Sequence, residues 1–398
     1  MKKYWKTILI SLIIVTTIGS YYIQQAMASK KDVSFKIETT NGDKGEIDNL
    51  ILQASYQNGG NIYHWLQISK DGSTNQISRT FFRDLVEAHE PLMFQKYIQE
   101  YRNFMRGKVL NPGQYFEDED RLIYTTFQSN GRNKGLGNLF TLQIDTLDKK
   151  TNDSSSFEIN MPDQVRYDWI NERDIYIENG KIKILATSYL NGEEELHIYT
   201  VDENKKELEH DLILAKLESE ERAQTSINIL NDYNKVQNEN YILYMVEKYK
   251  YLDDGERETI PSKMYLYNYL NNEVKELTIP AELKPYMKYM ILHGTDIFIP
   301  VHSAIGLELK RYNIEKNQWE EHLSFKYPSI ANDEEAPFLQ ITDDKLYLVS
   351  RVSDGHFFFI GDVRTGESLY EGKIINENKE NLNADYSLMI EQIYNNMN

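Results

Sequence analysis

Apolar and polar residues alternate along most of the chain after residue 40, which predicts β-strands rather than helices. One pattern recurs six times: an alternating strand ends in an Asx or Ser residue, and a short polar turn then leads to another strand. An Asx side chain at such a position hydrogen-bonds the backbone two residues further on and so starts the turn. The six copies span 63–69, 139–145, 196–202, 264–271, 307–313 and 357–362.

Further predicted strands flank each copy. A strand precedes each of them, at 50–55, 121–128, 181–189, 240–247, 296–301 and 345–351. Third strands follow at 207–214, 273–279, 319–325 and 367–374, and leading strands are evident at 226–230 and 337–341. One four-stranded antiparallel sheet every ~50–60 residues is the signature of a β-propeller. The pattern therefore predicts an all-β, six-bladed β-propeller, with seven blades as the other count.

Strand spacing is also compatible with a large β-sandwich or a string of small β domains, but six copies in one order favour the propeller. The first two copies are the weakest because their leading strands are not evident. A propeller ring needs closure, and the alternating strand Val33 to Glu38 has no partner in its own blade. We expect it to pair into the last blade.

Two segments depart from the strand pattern. Within 80–109, six apolar residues recur at helical spacing and predict a helical insertion with a kink near Pro91: Phe94, Tyr97, Ile98, Tyr101, Phe104 and Met105. Burial of this stripe against the ring is favoured over a lid or partner-binding role. The tail, 381–398, is predicted to form a short helix docked on the domain, so that the propeller domain spans 29–380.

The N-terminus has the features of an export signal. Met1 to Lys6 carries three lysines and no acid, and residues 7–23 contain no charged side chain. As a helix these positions would just cross a ~30 Å hydrocarbon layer, with the rest of the chain translocated. Residues 1–28 are thus a signal anchor, giving a single-pass cell-membrane protein, or a signal peptide cleaved after Ala28, giving a secreted one.

Charge and cysteine content exclude several classes of function. The chain has 44 basic and 62 acidic residues and a net charge of −18, which disfavours nucleic acid and anionic lipid headgroups as partners. The absence of cysteine excludes disulfides, thiol catalysis, zinc-thiolate sites and a lipidated N-terminus. The membrane, through the N-terminal segment, and a protein or cell-envelope partner are the expected contacts.

No catalytic signature is present, neither G-x-S-x-G, nor a phosphate-binding G-x-x-x-x-G-K-[ST] loop, nor H-E-x-x-H. Gly131, Gly135 and Gly137 lack dinucleotide-binding spacing, so they are interpreted as a turn. Eight histidines are scattered without metal-ligand spacing, and His293 and His302, which flank one strand, are the pair of greatest interest: His64, His89, His197, His210, His293, His302, His322 and His356. The sequence therefore predicts no catalytic residue and no cofactor, and it leaves open whether a metal site exists.

Acidic and aromatic residues offer weaker candidates. Four acidic loops, at 117–120, 253–256, 332–335 and 343–344, could supply oxygen ligands to calcium, but none has the spacing of the calcium-binding helix-loop-helix motif. They are interpreted as solvated charge. Trp65, Trp169 and Trp319 could form sugar-stacking platforms, although packing between blades is favoured for them.

By its repeat pattern alone, over residues 33 to 375, the chain resembles bacterial membrane-tethered β-propeller proteins in general. The resemblance implies an extracytoplasmic, non-enzymatic binding or scaffold protein. Two alternatives stay open: an extracytoplasmic enzyme acting on a glycan or wall polymer, and a sensory domain that binds a small ligand or calcium.

Overall fold

The computed structural model describes residues 5, 9–10, 12, 14–20, 33–57, 64–75, 92–133, 137–162, 167–217, 223–231, 236, 239–251, 257–303, 306–328, 337–377 and 386–395. The chain forms two compact units. The first comprises 1–87, 302–308 and 323–398, and the second comprises 88–301 and 309–322. Apart from short helices, the described chain is all-β, with its strands in six antiparallel sheets.

Sheets 1 and 6 belong to the first unit. Sheet 1 has the order β26 (Ser387–Asn395), β2 (Leu50–Gln57), β3 (His64–Ser69) and β4 (Gly72–Asn75). Sheet 6 has the order β1 (Phe35–Gly42), β25 (Ser368–Asn376), β24 (Gly355–Asp362), β23 (Lys345–Val352) and β22 (Phe338–Thr342).

Sheets 2, 3 and 4 belong to the second unit, and each is a four-stranded meander. Sheet 2 contains β5 (Tyr115–Glu117), β6 (Arg121–Asn133), β7 (Gly137–Asp148) and β8 (Ser154–Asn160). Sheet 3 contains β9 (Trp169–Glu178), β10 (Lys181–Leu190), β11 (Glu193–Asp202) and β12 (Glu207–Leu217). Sheet 4 contains β13 (Ala223–Ile229), β14 (Tyr241–Tyr251), β15 (Arg257–Asn268) and β16 (Glu273–Leu277).

Sheet 5 repeats the meander order with shorter strands. It contains β17 (Ile291–His293), β18 (Asp296–Ser303), β19 (Gly306–Asn313) and β20 (Gln318–Trp319), and β21 (Leu323–Phe325) also pairs with β19. All six predicted copies therefore lie on strands of six separate antiparallel sheets. The all-β class and the repeat are confirmed.

The predicted Asx turns account for the strand ends. Asp202 Oδ1 accepts from the backbone N–H groups of Asn204 and Lys205, each at 3.0 Å. Asp362 Oδ1 accepts in the same way from the backbone N–H groups of Arg364 and Thr365. Such a bond satisfies turn N–H groups that no strand partner can reach.

The first and last strands of the described chain each complete a sheet whose other strands are distant in sequence. The prediction for the N-terminal strand is confirmed, because β1 pairs antiparallel with β25 and Phe35 stands opposite Asn376. The prediction of a C-terminal helix is wrong. Within 381–398, residues Ser387–Asn395 form strand β26, which supplies the leading strand that the first copy lacked.

A β-bulge explains the wrong helix prediction. Gln392 pairs with Gln53 and Ile390 pairs with Ala54, so Glu391 is an extra residue in β26. The bulge shifts the alternation by one position, and Ile390 and Ile393 both enter the same core although they are three residues apart. Spacing of three is the mark of a helix face, and the sequence alone shows only that spacing.

The helical insertion is confirmed in part. Helices α1 (Leu92–Glu100) and α2 (Arg102–Met105) lie inside 80–109, and residues 80–91 are outside the described residues. Phe94, Tyr97, Phe104 and Met105 are buried with residues of β5 and β6. The burial expected for the aromatic stripe is therefore confirmed.

Cores form between sheets that follow one another. Within the second unit, apolar clusters join sheet 2 to sheet 3, sheet 3 to sheet 4, and sheet 4 to sheet 5. Within the first unit, one cluster joins sheet 6 to sheet 1. Among the residues that the structure describes, no helix has both the length and the apolar character needed to cross a bilayer.

Candidate functional site

The apolar face of the β23–β24 hairpin ends in one guanidinium and one imidazole side chain. Side chains at alternate positions of both strands pack into the core that sheet 6 shares with sheet 1: Tyr347, Val349, Phe358 and Ile360. The next position on β23 is Arg351 and the matching position on β24 is His356, and the two residues are direct cross-strand partners. Period-two alternation thus aims both side chains at the same space as the core residues.

A tight turn fixes this end of the hairpin. Val352 pairs with Gly355, so only two residues connect the strands. Gly355 has a φ of +139°, and a Cβ there would lie 2.6 Å from the carbonyl oxygen of Ile374, so the position requires glycine. Asp354 in the turn forms a 2.8 Å ion pair with Lys373 of β25. Arg351 and His356 therefore stand on a rigid frame.

A cavity of about 310 Å³ opens beside these two residues, within the first unit. Its size is at the lower end of the range for small-molecule sites. One wall comes from sheet 6 and the other from β26, and the lining residues are Pro337, Phe338, Val349, Arg351, His356, Leu388, Met389 and Ile390. His356 is 5% exposed, whereas Met389 is 50% exposed and lies at the rim.

The positive charge in this apolar setting determines what the cavity can hold. The ring of Tyr386 lies 6.1 Å from that of His356. Burial raises the pKa of Tyr386, and the positive charge of Arg351 opposes that rise. A guanidinium offers paired N–H donors suited to a carboxylate or phosphate, and the apolar walls suit an apolar body.

Two buried carboxylates on β9 have the opposite character, because protein groups already fill their surroundings. Glu172 accepts from the backbone N–H of Phe127 at 2.5 Å and from Gln114 Nε2 at 3.0 Å. Asp174 accepts from the Tyr269 hydroxyl at 2.9 Å. Burial raises the pKa of both carboxyls to about 7. Their partners come from sheets 2 and 4, so these groups tie sheet 3 to its neighbours.

His197 is the centre of a second buried polar cluster in the second unit. Its Nδ1 lies 2.7 Å from Asp211 Oδ1, and its Nε2 lies 3.0 Å from Glu195 Oε2. The Tyr167 hydroxyl donates to the same Glu195 oxygen at 2.6 Å, and Lys216 pairs with the other oxygen at 2.8 Å. The His197 side chain is fully buried, and each of its two ring nitrogens lies within hydrogen-bond distance of a carboxylate oxygen.

The histidine pair singled out from the sequence is not brought together as one site. His302 Nδ1 is 3.0 Å from the Tyr327 hydroxyl, and burial lowers the pKa of His302. His293 ends β17 opposite Asp296. In the part of the chain that is described, no group of three or more His, Asp or Glu residues is placed to hold a metal ion.

The acidic loops within the described residues serve as turns. Asp118 Oδ1 accepts from the N–H groups of Asp120 and Arg121. Asp343 and Asp344 occupy the β22–β23 turn, both at positive φ, and Asp344 pairs with Arg364. The loops at 253–256 and 332–335, like Gly135 and His89, lie outside the described residues.

The tryptophans do not share one environment. Trp319 is half-buried against Tyr312, with ring centroids 5.3 Å apart. Trp65 on β3 is half-buried as well. Trp169 is 42% exposed, so the expectation that it packs between blades is wrong for this residue.

Sequence reasoning missed Arg351 and His356 as site residues. Alternation along Tyr347, Val349 and Arg351 does place a cation on a core face, and that was the available signal. The apolar wall across from it depends on β26, whose pairing with sheet 1 is not local and was predicted wrongly. A cavity formed by two sheets cannot be located from either sheet alone.

No protein-family model matches the chain, and no curated protein matches it closely. Among solved structures it is similar to TolB from Acinetobacter baumannii, at 12% identity and a TM-score of 0.30, covering 84% of this chain and 65% of that one. It is similar to polysaccharide lyase Uly1, at 10% identity and a TM-score of 0.37, covering 79% and 70%. It is also similar to cobalt-substituted Synechocystis ACO, at 9% identity and a TM-score of 0.35, covering 69% and 64%.

Proposed function

We propose that this chain is an extracytoplasmic, membrane-associated binding protein with no catalytic activity, and that the Arg351–His356 cavity is its ligand site. The observation that carries the proposal is the combination of the Arg351 guanidinium and the His356 imidazole with apolar walls around a cavity of about 310 Å³. The ligand is a small molecule with one anionic group and an apolar body. Such pockets use apolar area for affinity and a few polar groups for orientation.

A six-bladed propeller is the proposed platform for this site. Six antiparallel sheets, four of them meanders, support it, as do the apolar cores that sheets share within each unit. So does the pairing of β1 into sheet 6 and of β26 into sheet 1, because a ring of sheets is stabilised when strands from both ends of the domain complete existing sheets.

Anchoring through residues 7–23 is the proposed location. Lys2, Lys3 and Lys6 precede the uncharged run, as expected for a segment whose C-terminal side is translocated. Where this run is described it is helical, and its apolar side chains are exposed: Leu9, Ile10, Leu12, Ile14, Val15 and Ile18. Exposed apolar side chains on a helix suit a lipid environment.

A matched set of probes tests the ligand site on the full-length protein. Phenylpropionate, phenylpropyl phosphate and phenylpropanol share one apolar body and differ in the head group. We expect calorimetry to show binding of at least one anion and at least tenfold weaker binding of the alcohol, because a hydrogen bond to a charged group contributes about 1.5–3 kcal/mol. Arg351→Met should remove this preference for anions.

Arg364→Met is the matched control, because it removes the same charge from an exposed side chain of the same sheet. It should leave anion binding unchanged. Equal affinity for anion and alcohol, or equal loss in both variants, would contradict the ligand proposal.

The absence of cysteine makes the location directly testable. Ser155 is exposed on β8, so Ser155→Cys should react with a membrane-impermeant maleimide on intact cells, whereas Lys3→Cys should react only after lysis. Recovery of the labelled Ser155→Cys chain in the membrane fraction supports an anchor. Its recovery in the medium would support cleavage, and protection of Ser155→Cys until lysis would contradict extracytoplasmic exposure.

A further inference from the structure

An aromatic pair at one end of sheet 3 forms a second candidate binding surface, in the second unit. Trp169 of β9 and Tyr189 of β10 are direct cross-strand partners. Their rings stack with centroids 4.3 Å apart and planes 18° apart. Tyr189 is half-buried and Trp169 is 42% exposed. One aromatic face is therefore supported from behind and open in front.

Hydrogen bonds hold this platform in place. The Tyr189 hydroxyl hydrogen-bonds to Glu194, and Glu194 Oε2 in turn accepts from the backbone N–H of Ile227 at 3.3 Å. A ring fixed in this way loses little conformational entropy when a ligand stacks on it, so more of the contact energy is retained as affinity.

Polar side chains surround the platform on the same side of the sheet. Strand alternation puts Asn171 on the face that carries Trp169. The bulge that follows brings Arg173 to that face too, where its Nε donates to Thr187 Oγ1 at 3.0 Å. Asn171 and Arg173 are both half-buried. Amide and guanidinium groups thus border the aromatic face.

We infer that this surface binds a neutral saccharide. A pyranose ring has one face made largely of C–H groups, which carry partial positive charge and suit the negative face of an aromatic ring. Its hydroxyls both donate and accept, so they can use the Asn171 amide and the Arg173 guanidinium together. A neutral sugar is favoured over an anionic one because the protein carries a net charge of −18.

Soluble oligomers of glucose and of N-acetylglucosamine, both β-1,4-linked, are the probes, added to the full-length protein. Saturation-transfer NMR should show contact with sugar ring protons, and the Kd should follow from titration. We expect Trp169→Ala to weaken binding at least tenfold and Trp169→Phe to weaken it less, because phenylalanine keeps a smaller aromatic face.

Trp65→Phe is the matched control, since Trp65 is half-buried on another sheet. It should leave saccharide binding unchanged, as should Arg351→Met, so the outcome is independent of the anion site. The melting temperature of each variant reports folding. If Trp169→Ala fails to fold, Trp169→Phe provides the test. Failure of both oligomers to bind the unaltered protein at millimolar concentration, or equal binding by the Trp169 variants, would overturn the inference.

Discussion

The β23–β24 hairpin and strand β9 both place ionisable side chains in apolar surroundings, but the neighbours of these side chains differ. On β9, Glu172 and Asp174 are met by hydrogen-bond donors from other sheets. On the hairpin, Arg351 and His356 line a cavity of about 310 Å³. A buried charged group costs free energy unless it has partners.

This difference separates two uses of buried polarity. Where protein groups from a neighbouring sheet complete the hydrogen bonds, the polar group fixes how two sheets pack. Where a polar side chain instead borders a cavity, as Arg351 does opposite Leu388 and Ile390, a ligand in that cavity can contact it. The first kind should respond to mutation through stability, and the second through binding.

The largest loss of stability is expected at His197. The ring hydrogen-bonds to Asp211 through Nδ1 and to Glu195 through Nε2. His197→Leu removes both bonds, and each hydrogen bond to a charged group contributes about 1.5–3 kcal/mol. Urea unfolding should therefore show a free energy of unfolding lower by about the sum of the two contributions.

His322→Leu is the control for this substitution, because His322 is exposed. It should change the free energy of unfolding by no more than about 0.5 kcal/mol. An equally small effect at His197 would mean that the cluster contributes little to the stability of sheet 3.

Strand β26 offers a second test. Its internal control is the residue four positions away, which would lie on the same face if the segment were a helix. Ile393 is 2% exposed and Met389 is 50% exposed. Ile393→Ala should lower the free energy of unfolding by about 2–4 kcal/mol through lost burial and a cavity, whereas Met389→Ala should cost less than about 1 kcal/mol. Equal losses would indicate that both side chains share one buried face, as the predicted helix would require.

Most of the strands could be predicted from the sequence because the evidence for them is local. Alternation within 181–189 and the Asx turn after Asp202 depend only on neighbouring residues. The β26 prediction failed because Glu391 forms a bulge only in the presence of β2, which lies more than 300 residues earlier. Likewise, Arg351 and His356 look like ordinary hairpin residues until β26 supplies the opposite wall.

The smallest effect is expected in the pH dependence of stability, and its sign distinguishes β9 from an ordinary carboxylate site. The pKa of Glu172 is about 7 in the folded protein, against about 4.3 in an unfolded chain. The folded state therefore holds its proton to higher pH than the unfolded state does. Stability falls as pH rises from about 4 to 7, by about 2–3 kcal/mol for this group.

Glu172→Gln should remove that part of the slope, and Asp174→Asn the part due to the other carboxyl, whose pKa is also about 7. Urea titrations at several pH values measure it, with the exposed Glu119→Gln as control.

Gln114 Oε1 is buried without a hydrogen-bond partner. A half-turn of that amide would let it accept from a protonated Glu172, which is consistent with a neutral carboxyl near pH 7. If Glu172→Gln left the slope unchanged, Glu172 would be ionised in the fold, and β9 would hold an unneutralised negative charge rather than a neutral tie between sheets.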